Sequence, residues 1–86
     1  MNINELIAIV KNKLEMKIVI QDLKIEDKSF LHKNHKGHQE GKFHLKLMIK
    51  SKELSKLTKI ASTKRVYNVL NVELKENIHS IQISLN

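Results

Sequence analysis

Alternation is strictest between Phe43 and Lys50, where Phe43, Leu45, Leu47 and Ile49 interleave with His44, Lys46, Met48 and Lys50. A period of two over eight residues predicts a half-buried strand, with His44 on the sheet surface beside Lys46 and Lys50. The same period returns at the C-terminal end, where His79, Ile81, Ile83 and Leu85 alternate with Ser80, Gln82 and Ser84, and Ile78 stands at the edge. A third strand is predicted over Lys17–Ile25, which is rich in β-branched residues. Its parity changes midway: Ile18 and Ile20 fall on one side, Leu23 and Ile25 on the other, so a bulge or strong twist is expected near Gln21 and Asp22.

Helical spacing fills most of the rest. Leu6, Ile7, Val10 and Leu14 mark an amphipathic helix over Asn2–Leu14 that Asn2 or Asn4 can cap, and Asn2 with Glu5 three residues on resembles a capping box. A short helix is expected within Ser51–Ile60, with Leu54, Leu57 and Ile60 inward. Ser62 or Thr63 is then expected to cap a longer helix. In it Val66, Val69, Leu70 and Leu74 form the inner stripe, Lys64, Arg65, Asn68 and Asn71 face out, and Asn77 ends it. The order helix, strand, strand, helix, helix, strand predicts an α+β fold in which helices cover one face of a small sheet, as a single domain over residues 1–86.

Between the first two strands, Glu26–Gly41 reads as one long polar loop, and it changes the picture because it holds His32, His35 and His38 together with both glycines of the chain. Irregular stretches of this length are uncommon in small domains and tend to carry function. With no cysteine anywhere, the chain can form no disulfide and offers only histidine and carboxylate as strong metal ligands. A fourth histidine, His79, stands alone in the last strand. Each of these has a plain reading as well: a strand histidine bonded to backbone, and a solvated loop that binds divalent ions adventitiously.

The net charge of +7 implies attraction to polyanions or to an acidic partner without specifying either. No apolar run approaches the ~18 residues of a membrane span, and the N-terminus has neither signal-peptide nor transit-peptide character, so a cytoplasmic protein without membrane contact is expected. No serine, aspartate or glutamate forms a recognisable catalytic arrangement with a histidine, so the chain is not expected to be an enzyme.

Specific residues resemble the BolA family over roughly Leu6–Leu85. Val66-Tyr67-Asn68-Val69-Leu70, then Glu73-Leu74, then Ile78-His79-Ser80-Ile81 follow the family's C-terminal pattern. Upstream, Asp27-Lys28-Ser29 with His32 corresponds to the family's Asp-Glu-Ser stretch and loop histidine, Phe43-His44-Leu45 to Thr-His-Phe, and Ile49-Lys50-Ser51 to Ile/Val-Val-Ser. The chain departs from the pattern at Ser62-Thr63-Lys64, where Arg-His-Arg is usual, at Leu54 for phenylalanine and at Lys56 for glycine.

The resemblance implies a three-stranded mixed sheet with helices on one face, class II KH-like. It also implies an adaptor that pairs with a monothiol glutaredoxin and shares a 2Fe-2S cluster with that protein and glutathione, in iron-sulfur trafficking or iron-responsive regulation. Imidazole replaces thiolate in Rieske-type centres in the same way. By this likeness His79 is the principal ligand and His32 the second, with His35 as its substitute and His38 a weaker choice. Self-pairing of the lone chain is left open.

The alternative is a DNA-binding transcriptional regulator whose helix-turn-helix-like surface carries Lys52, Lys56, Lys59, Lys64 and Arg65. Against it, Ser55–Thr63 contains no glycine for a Gly-x-x-Gly turn, and one tyrosine with two phenylalanines makes no stacking platform, so such binding is expected to be weak and steeply salt-dependent.

Overall fold

The computed structural model describes residues 2–29 and 42–85. Helix α1 spans Ile3–Lys17, strand β1 Asp22–Asp27, strand β2 Phe43–Lys50, helix α2 Lys52–Ser55, helix α3 Lys59–Val69, helix α4 Asn71–Glu76 and strand β3 Ile78–Leu85. The strands form one mixed sheet in the order β1-β2-β3, with β2 antiparallel to β1 and parallel to β3. The α+β expectation therefore holds.

The core lies between one sheet face and the helices. Leu45, Leu47 and Ile49 of the central strand are buried against Leu6, Val10 and Leu14 of α1 and Val66 of α3, with Leu70, Ile78 and Leu54 closing the edges. With Ile18 these make eleven buried apolar side chains among the described residues, and their burial is the main source of stability in a chain this small. Among the described residues no helix is long and apolar enough to cross a membrane.

Asn2 caps α1: its side-chain oxygen accepts the Glu5 amide at 2.8 Å, while its Nδ2 donates to Glu5 Oε1 at 3.1 Å. The helix runs one turn beyond Leu14, because Met16 and Lys17 lie outside the core and nothing stops the winding before Ile18 takes an extended conformation. Ile18 is thus buried as the helix tail, and β1 begins at Asp22 instead of Lys17. This also accounts for the parity change. The pairing from Asp22↔Lys50 to Asp27↔Leu45 is continuous, and the expected bulge near Gln21 and Asp22 is absent because Ile18 and Ile20 precede the strand.

The later helices differ from expectation in their boundaries. The Thr58 hydroxyl accepts the Ala61 amide at 3.1 Å and starts α3 four residues before Ser62. That leaves α2 a single turn capped by Ser51, with Leu54 buried but Leu57 and Ile60, both expected inward, exposed at 40% and 72%. Ser62 is itself buried within α3, its hydroxyl donating to the Lys59 carbonyl at 3.0 Å. The long helix breaks at Leu70 into α3 and α4, but its inner stripe is as expected: Val66 and Leu70 are fully buried and Val69 and Leu74 packed against them. Asn77 ends α4.

A candidate ligand corner at the start of the last strand

The site is built where β3 begins. Phe43 N–H donates to the Asn77 carbonyl at 2.9 Å, starting the parallel pairing of β2 and β3. The register then steps from Phe43↔Ile78 to His44↔Ser80, so His79 is an extra residue on β3. An extra residue of this kind bends the strand and re-aims a side chain. Simple alternation would place His79 with Ile81, Ile83 and Leu85 facing the helices. The bulge instead leaves it exposed, with its ring centroid 4.9 Å from that of His44 and the two planes 57° apart.

His44 is not the surface residue that its parity with Lys46 and Lys50 predicts; it is 5% exposed. Its amide donates to Ser29 Oγ at 3.0 Å and its carbonyl accepts the Lys28 amide at 2.7 Å, so the exit of β1 is tied along it. Its ring Nδ1 shares a hydrogen bond of 2.6 Å with Ser80 Oγ. Asp27 in turn accepts the Ser29 amide at 2.9 Å, which orients the serine that meets His44. A cleft of about 190 Å³ opens beside the pair, lined by Lys28, His44, Lys46, Ser80 and Gln82 among others. The shared parity of His44 and Lys46 hides this burial, because alternation assigns a face without saying what covers it.

Of the residues expected to hold a metal, His79 is therefore exposed in a defined corner, whereas His32, His35 and His38 lie outside the described residues. Among the described residues no group of three or more histidine, aspartate or glutamate side chains is gathered to hold a metal ion alone. The His79 side chain makes no hydrogen bond or ion pair among the described residues and is exposed.

The five basic residues of the alternative reading lie on α2, α3 and the turn between them, all exposed. Arg65 is already engaged: its Nη2 donates to Glu53 Oε2 at 3.1 Å and to the Lys17 carbonyl at 3.3 Å. It joins α3 to α2 and to the end of α1.

Comparison with known proteins agrees with this architecture. Residues 14–86 match the family model described as BolA-like protein. The chain is 30% identical over 77 residues to the DNA-binding transcriptional regulator BolA of Haemophilus influenzae, covering 90% of this chain and 72% of that protein. Two solved structures from Arabidopsis thaliana share the fold with a TM-score of 0.78. The BolA domain of SufE1 is 24% identical and covers 100% of this chain and 93% of that one, and BolA1 is 27% identical with 92% and 87% covered. BolA1 from Mus musculus superposes with a TM-score of 0.72 at 19% identity, covering 90% of this chain and 60% of that one. From the family match over most of its length, the Ile78-His79-Ser80-Ile81 strand start and the shared fold, the chain belongs to the BolA family.

Proposed function

We propose that the chain is a non-enzymatic adaptor that pairs with a monothiol glutaredoxin and lends histidine to a 2Fe-2S cluster held between them with glutathione. The observation that carries this reading is the bulge at His79, which takes one imidazole out of the alternation of a core strand and leaves it exposed. A bound cluster would supply iron sites of mixed thiolate and imidazole ligation. The residues of this chain fit such a group in part: His79 offers an exposed nitrogen donor, and with no cysteine in the sequence any thiolate comes from the partner. His32 or His35 is the proposed second ligand. In this role the chain's own work is to present an imidazole from the start of β3 and to dock.

The test is co-purification with a monothiol glutaredoxin and glutathione. A visible absorbance spectrum that differs from that of the glutaredoxin alone, and that changes with His79→Ala, is expected. An identical spectrum with and without this chain would remove the reading.

A second reading, DNA-binding regulation, is favoured by the name of the Haemophilus influenzae relative and by the exposed Lys52, Lys56, Lys59 and Lys64. It uses a different surface from His79, so the two can be tested separately.

A further inference from the structure

His79 sits at a bulge, outside the regular pairing of β2 and β3, and its side chain is exposed. Neither the ladder nor the core therefore sets the direction of its ring. Its ring lies beside the His44 ring, at 4.9 Å between centroids and tilted by 57°, an arrangement typical of paired aromatic rings. His44 is itself fixed from three sides: Ser80 Oγ at Nδ1, Ser29 Oγ at the amide and the Lys28 amide at the carbonyl. A serine hydroxyl both donates and accepts, so it holds the imidazole in either tautomer. Burying a polar ring on the face opposite the core is costly unless such partners hold it, and an apolar side chain would fill the place at less cost.

Resting on the adaptor reading, we infer that His44 is a positioning residue: the Ser80–His44 pair locks one ring so that it sets the rotamer in which His79 meets an incoming metal centre. Lys28 and Ser29 bond the backbone of His44, and Asp27 holds the Ser29 amide. His44 is thereby anchored through its backbone as well as its ring. A metal-binding imidazole whose orientation is set in advance loses less freedom when it binds.

The experiment measures the His79 χ1 rotamer by three-bond NMR couplings in the isolated full chain, and the lifetime of the cluster-bearing glutaredoxin complex against a chelator. Wild type is expected to hold His79 in one rotamer. His44→Ala should give averaged couplings and a lifetime shorter by roughly 10-fold, the scale seen when partners of metal-bound histidines are removed. Ser80→Ala should average the couplings in part, and His44→Phe, which keeps a packed ring, should restore the single rotamer. A merely structural role would lower stability in these variants and leave the His79 rotamer as in wild type, and that result overturns the inference. If His44→Ala does not fold, Ser80→Ala decides by the same coupling. Failure of the wild-type chain to form any cluster complex would remove the adaptor reading alone, since the couplings are read without the cluster.

Discussion

Lys13 Nζ lies 2.6 Å from Glu73 Oε2, an ion pair that ties the first helix to the fourth across sixty residues of chain. Glu73 is 5% exposed and its Oε1 has no hydrogen-bond partner among the described residues, whereas the Lys13 side chain is 40% exposed. Removing the lysine leaves a carboxylate in a place water hardly reaches, while removing the glutamate frees an ammonium that water can still solvate. Lys13→Ala is therefore expected to cost about 1 kcal/mol, the low end of the penalty for a buried group that loses its partner, because the lysine is partly solvated. Glu73→Gln should cost less. Urea midpoints of the two variants check this order; equal midpoints would overturn it, and midpoints equal to that of wild type would show that the pair contributes little.

Much of the fold is legible because its core elements repeat cleanly: Phe43–Lys50 reads as a strand with no competing period, and the Asn2–Glu5 cap is found as predicted. Where the sequence misleads, the cause is local. Ile18 and Ile20 look like strand residues by β-branching, but Ile18 is buried as a helix tail and Ile20 packs against the core before β1 begins. Thr58 outcompetes Ser62 as a cap because a helix can start at the first free hydroxyl that meets an amide, so Ile60, apolar in sequence, is carried to the surface. The site is half legible. His79 is identified from the family likeness, but a bulge leaves no signal in alternation, and the burial of His44 depends on Ser29 and Ser80, which are far away in sequence.

The cap at Asn2 acts at the free end of the helix that supplies three fully buried core residues, Leu6, Val10 and Leu14. Asn2→Ala removes the oxygen that accepts the Glu5 amide and the amide group that meets the Glu5 carboxylate, and is expected to cost ~1 kcal/mol. Asn2→Asp keeps the acceptor and places a negative charge at the helix N-terminus, so its thermal midpoint should stay near that of wild type even with Glu5 alongside. A fall for Asn2→Asp as large as for Asn2→Ala would show that contact with the Glu5 carboxylate, not the cap, holds the end.

Leu47 stands in the middle of the central strand with no exposure, between the β1 and β3 ladders at Ile25 and Ile83. Leu47→Ala should cost about 2–5 kcal/mol through lost burial and a cavity that flanking strands cannot close. Met48, its neighbour on the opposite face, is half-buried and paired with Lys24 and Ser84, so Met48→Ala should cost clearly less. Denaturation curves for both variants measure the asymmetry of the sheet directly, and similar losses would place part of the core on the face away from the helices.

If the chain binds a cluster as proposed, substitution identifies its second ligand. With a glutaredoxin complex in hand, His32→Ala should change the visible spectrum if that residue is the second donor, and His35→Ala should do so if the loop presents the other ring. Because His79 is presented by the bulge and not by the loop, His79→Ala should change the spectrum in either case. If neither loop variant alters it but the double variant does, the two rings substitute for each other.

The basic surface makes a prediction of its own. Lys56, Lys59 and Lys64 are exposed and form no ion pair among the described residues, whereas the Arg65 guanidinium is held by Glu53 and by the Lys17 carbonyl. If DNA is bound across this face, each lysine neutralises a phosphate and releases counterions, so log affinity falls with log salt by ~0.9 per phosphate contact. Neutralising all three as Lys→Gln should reduce that slope by about 2.7, against little change for Arg65→Gln, whose charge is already partly met by Glu53. Fluorescence anisotropy of a labelled duplex across a salt series reads both slopes. An unchanged slope in the triple variant would show that these lysines are a solvated face and that any attraction to DNA comes from the overall charge of the chain.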